Sequence, residues 1–105
     1  MAAESYPFEM FSGTATGDGV WKDVGQFNAP WSVVFTGTFG TDSLEVRVSN
    51  ANPKPADNTH GVIFGAAVVA EGKVVVTDSY KWAKVRKTAG TANIVAAAHA
   101  QLLHG

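Results

Sequence analysis

Cysteine is absent from this 105-residue sequence, so disulfides and thiolate metal sites are excluded and stability is independent of redox compartment. Charge is scarce as well. Only 16% of the residues are Asp, Glu, Lys or Arg, against about 25% in an average globular protein. A thinly charged surface is easier to dehydrate against a partner. Eight basic and nine acidic residues leave a net charge of −1. They form no long basic run, so counterion-release binding has no footprint and no nucleic-acid partner is expected. Long hydrophobic runs are also missing. The longest, such as residues 62–70, are far short of the ~20 residues a membrane span needs, so no membrane partner is expected. The opening MAAESYPFEMF has no basic region followed by an apolar one, and no signal peptide is expected from it.

The usual carriers of chemistry are missing too. His60, His99 and His104 belong to no HExxH or HxH spacing. The His99/His104 separation of five matches no helical face and puts the two on opposite sides of a strand. Neither GxSxG nor GxxxxGK[ST] occurs. Most carboxylates sit in or beside turns, where Asp hydrogen-bonds the backbone. Asp18-Gly19 and Asp57-Asn58 lack the DxDxDG density of a calcium loop. The expectation is a protein that is not an enzyme, with no catalytic residue, cofactor or metal.

Two-residue alternation is what the sequence does contain. In WSVVFTGTFGTDSLEVRVSN (31–50), Trp31, Val33, Phe35, Gly37 and Phe39 share one phase. After the turn chemistry of Gly40-Thr41-Asp42, Leu44, Val46 and Val48 share another. The pattern predicts a β-hairpin with Phe35, Phe39, Leu44, Val46 and Val48 buried together. Gly37, apolar in phase but without a side chain, marks close packing or a bulge. Further strands are predicted over 6–12 and 20–24. A second hairpin is predicted from 62–70 and 73–77, and a third from 80–88 and 92–103. NANPKPADNTHG (50–61) reads as a surface loop. The last segment suits a helix by its alanines and a strand by the alternation of Ile94, Ala96, Ala98, Ala100 and Leu102. Together these imply one domain over 1–105, an all-β antiparallel sandwich or jelly-roll-like barrel of about seven or eight short strands. Short terminal arms are expected at about 1–7 and 101–105.

Trp31 reads as core and Trp21 as a cap on one end of it. In YKWAKVRKT (80–88), Tyr80, Trp82, Lys84 and Arg86 share a phase opposite to Ala83 and Val85. Two readings stand side by side. In one, the four form an outward aromatic and cationic partner-contact strip, a composition enriched at interface cores. In the other, the rings are buried and the cationic stems snorkel past the rim.

The order GVWKDVGQF, WSVVFTGTFGTDSLEVRVSN, a polar loop, then YKWAKVRKTAGTANIVAAAHAQL resembles small β-sandwich virion proteins of tailed bacteriophages over about residues 20–103. In that group an F-x-G-x-F strand precedes an L-x-V-x-V-S strand. Where such proteins often carry D-G-x-x-W, this chain has NANPKPADNTHG. The resemblance implies a virion structural protein, and a capsid decoration or cement protein is the first expectation. Its partner would be the major capsid protein or another virion protein, bound in many copies, with a dimer or trimer at a symmetry axis. A tail or fibre component and a carbohydrate-binding module stacking sugars on Trp82 or Trp21 are the alternatives.

Overall fold

Eight strands and no helix make up the described part of the computed structural model, residues 5–102, with side-chain surroundings described for residues 9–101. They are β1 (Ser5–Gly13), β2 (Lys22–Asp23), β3 (Phe27–Thr36), β4 (Ser43–Ser49), β5 (Val62–Ile63), β6 (Gly72–Val76), β7 (Trp82–Ala89) and β8 (Ile94–Leu102). A first sheet runs β1-β8-β3-β6 and a second β2-β7-β4-β5. All pairings are antiparallel. This order is that of a jelly roll, in which two Greek keys interleave across a sandwich.

None of the three expected hairpins forms. β3 and β4 lie in opposite sheets, as do β5 and β6, and β7 and β8. The reason is physical. Alternation fixes which face of a strand is apolar, but it does not choose the strand that pairs with it. A Gly/Asp turn can reverse the chain within a sheet or carry it across the core as an arch, and in both cases the apolar faces end up inside. Gly40-Thr41-Asp42 is such an arch, with the Gly40 N–H donating to Asp42 Oδ2 at 2.9 Å.

The phase assignments hold. Phe35, Leu44, Val46 and Val48 are buried in one cluster with Trp31, while Phe39, beyond the end of β3, is half-buried against it. Large and small side chains alternate between adjacent strands. Phe35 stands between Ala96 of β8 and Gly72 of β6, and Val33 opposes Ala98. That complementarity decides the last segment. β8 pairs with β1 on one side and β3 on the other, and the alanines at 96, 98 and 100 are its buried face. Gly37 has φ +141°, and a Cβ there would lie 2.7 Å from the Asn93 carbonyl oxygen, so the backbones meet closely.

Two irregularities re-phase strands. Met10 is an extra residue between Glu9 and Phe11 opposite β8, and it is buried. Pro30 lies where the β3–β8 register jumps from Asn28 to Ser32, since proline has no N–H for the ladder. Of the expected arms, residues 5–7 pair with 99–101 inside the first sheet. Residues 1–4 and 103–105, with His104, lie outside the described residues.

Candidate functional site

The outer face of the second sheet carries Trp82, Lys84 and Arg86 of the predicted strip, and the 50–61 loop folds over it. Lys84 points to this side, away from Ala83 and Val85, yet it is completely buried. Its Nζ donates to the carbonyl oxygens of Asp57 and Thr59, both at 2.7 Å. It also sits 4.7 Å from the Trp21 ring centroid, a cation–π distance. Trp21 is 2% exposed and holds the same loop, its backbone N–H donating to Asp57 Oδ1 and its Nε1–H to Ala56 O. Gly61, at φ +62°, passes so close that a Cβ would come within 2.6 Å of that indole. Trp21 therefore seals a small second core outside the sheet rather than capping the main one. Burial pushes the Lys84 ammonium below its ordinary value, although Asp18 and Asp57 pull it back up.

The other strip residues are partly engaged. Trp82 is half-buried, and its Nε1–H donates to Ala51 O at 2.9 Å. Tyr80 precedes β7 and is not part of the strip: it is half-buried against the main core, edge-on to Phe64 with ring centroids 6.0 Å apart. Arg86 lies 3.2 Å from Asp18 Oδ1 and 3.4 Å from Glu45 Oε1, and Arg47 also meets Glu45 Oε1 at 2.7 Å. The hydrogen bond from Arg86 holds the Asp18 carboxyl below its usual value. Burial pushes Glu45 up, but the two guanidiniums outweigh it and leave Glu45 lowered. Tyr80, Trp82 and Arg86 are thus half-exposed, whereas Lys84 is closed off from any partner. Local sequence could not reveal this, because the cover is a polar loop whose two bonded carbonyls are 25 and 27 residues away.

Lys87 was legible. It is two residues beyond Val85, in the inward phase, and it is 1% exposed. At one end of the sandwich its Nζ lies 3.1 Å from Asp42 Oδ1 and donates to Thr14 O and Ala92 O. One ammonium therefore ties together three connections that cross between the sheets. Asp42 also accepts from the Ala92 N–H. The Gly40 N–H, with further help from Lys87 and Ala92, outweighs burial and holds its carboxyl below the ordinary range.

No pocket opens among the described residues, and no three His, Asp or Glu among them converge as metal ligands. His60 is exposed, 3.3 Å from Asp18, and His99 is exposed on the first sheet. Comparison with family models, curated proteins and solved structures finds no match.

A surface that sequence reasoning did not single out is the free edge of the second sheet. Residues 62–70, VIFGAAVVA, carry no charge and run beside β4. Phe64 N–H donates to Val46 O, and Val68 exchanges hydrogen bonds with Leu44. Phe64 and Val68 pack against the core, while Val62 (66%), Ile63 (37%) and Val69 (63%) stand exposed with the small residues 65–67. The available signal was the run's length without charge, which reads equally well as a buried strand.

Proposed function

We propose that this chain is a non-enzymatic structural protein of a tailed-phage particle, a head decoration or cement protein that adds to the capsid lattice in many copies. The observation that carries the reading is the uncharged edge at 62–70. Edge strands of free-standing domains are usually protected by charge, proline or cover, and this one presents three exposed branched apolar side chains. Such an edge suits strand addition or apolar docking against a neighbouring chain. The order of features shared with small virion proteins supports the same reading. So does the jelly roll, an architecture that serves in capsids among other uses, though it supports by analogy alone. A lattice repeats each contact by symmetry, so a modest individual affinity is enough. Trp82 and Arg86 are the secondary contact residues. A sugar platform is the weaker reading, because the Trp21 face is taken by Lys84 and the loop.

The test is quantitative mass spectrometry of purified particles, followed by add-back of protein to particles lacking it. Wild-type protein is expected at high copy on heads, and V62E/V69E, still folded by circular dichroism, is expected to lose occupancy. Copies confined to tails would transfer the reading to a tail or fibre component. Particles without the protein would overturn it, and full occupancy by the double variant would remove the edge from the contact.

A further inference from the structure

The two outer faces of the sandwich treat charge differently. On the second sheet, Arg47, Glu45, Arg86 and Asp18 neutralise one another within the chain. The first sheet presents three cross-strand rows of outward residues. One row is Glu9–Ala97–Val34–Lys73 across β1, β8, β3 and β6. A second contains His99–Ser32–Val75, and a third Ser12–Val95–Thr36. Val75 is 44% exposed, and Val34, Val95 and Ala97 are half-exposed near the centre. Glu9 and Lys73 are the charged side chains of these rows. Among the described residues neither pairs with another charge. They stand at opposite ends of one row, about 14 Å apart by strand spacing.

That arrangement is self-complementary. We infer that the outer face of the β1-β8-β3-β6 sheet docks on the same face of a second copy, about a two-fold axis parallel to the strands and midway between β8 and β3. Rotation about this axis sets β1 over the partner copy's β6 and β8 over its β3. Each Glu9 then meets a Lys73 of the other copy, and Ala97 meets Val34 between them. The other in-plane two-fold, perpendicular to the strands, would set Glu9 on Glu9 and Lys73 on Lys73, so charge selects the first. Faces packed in this aligned way lie about 10 Å apart, a gap that a glutamate and a lysine bridge together.

Area sets the strength. Four strands by about six residues give roughly 400 Å² per copy, or about 800 Å² in total, below the 1,200–2,000 Å² of stable complexes. The dimer is therefore weak in free solution and gains from the high local concentration of a lattice. The inference does not depend on the particle reading, because it concerns the purified chain and a different surface.

Sedimentation equilibrium of the full chain up to about 1 mM, the range in which weak pairs associate, tests it. The wild type is expected to rise above monomer mass in the hundred-micromolar range. E9K and K73E should each weaken association at least ~5-fold, because each creates two like-charge contacts per dimer. E9K/K73E should restore it to within ~2-fold of wild type, since the pairs are re-formed with their signs exchanged. A monomer at all concentrations, single reversals without effect, or a double reversal no better than the singles would each overturn the inference. Circular dichroism of every variant separates loss of pairing from loss of fold.

Discussion

Replacing Phe35 with alanine is the most demanding test of the core. The ring is 1% exposed on the inward face of β3. Its cross-strand neighbours are Ala96 and Gly72, the smallest residues available, so neither can extend into the space left behind. Large-to-small changes of Phe cost about 3–5 kcal/mol, more where the site cannot collapse. F35A belongs at about 4–5 kcal/mol on that scale. A domain of 105 residues has a total stability of about 5–15 kcal/mol, so the variant should be marginal, with Tm lowered by roughly 15 °C or more. Equilibrium urea unfolding followed by tryptophan fluorescence measures this, and an unchanged m value would keep the two-state comparison valid. F39A is the internal control. Phe39 lies outside β3 and is half-buried, and its loss should cost about 1–2 kcal/mol. A loss below about 1.5 kcal/mol for F35A, near the ordinary effect of a point mutation, or equal losses for both variants, would refute the packing argument.

Other expectations concern the buried cations and the carboxylates. K84M should cost about 1–3 kcal/mol and raise amide exchange and proteolysis in residues 50–61, because the Asp57 and Thr59 carbonyls lose their donor; an unchanged loop in hydrogen exchange would refute its anchoring role. K87M should destabilise more than K84M in the same urea assay, since it leaves the Asp42 carboxylate buried without its cation, and adding D42N should recover part of the loss. Asp18, Asp42 and Glu45 all have lowered folded-state values. Their stabilisation is therefore full above the ordinary carboxylate values of 3.8 and 4.5 and lost as pH falls through the lower folded-state values. The urea midpoint should drop below about pH 4, and a midpoint unchanged down to pH 2 would contradict these assignments.

Phase was readable along nearly the whole chain, and partnership was not. Trp31, Val33 and Phe35 advertised their face through period-two spacing, whereas Lys87 shared the parity of Ala83 and Val85 and was still passed over. The crossing of β3 to β4 left no local mark, because Asp42 chemistry suits a hairpin and an arch alike. Alanine's helix propensity at 96–98 lost to pairing on both sides, which no single segment encodes. The burial of Lys84 depended on a loop whose own composition announces exposure. The uncharged run at 62–70 was visible as composition, but its place at an edge came only from topology.

The position of β8 bears on how the molecule is made. Of the eight described strands it is made last, and it fills the gap between β1 and β3. Until β8 has emerged, β1 has no strand beside it and the first sheet is split in two. Nearly every other pairing also joins segments remote in sequence, so folding should be slow and concerted, as in other topologies dominated by non-local contacts. A nascent chain stopped short of β8 would expose two unpaired edges and the apolar run at 62–70 together, a combination prone to aggregate. Synthesis of β8 is thus the step that joins β1 to β3 and lets the first sheet close over the core.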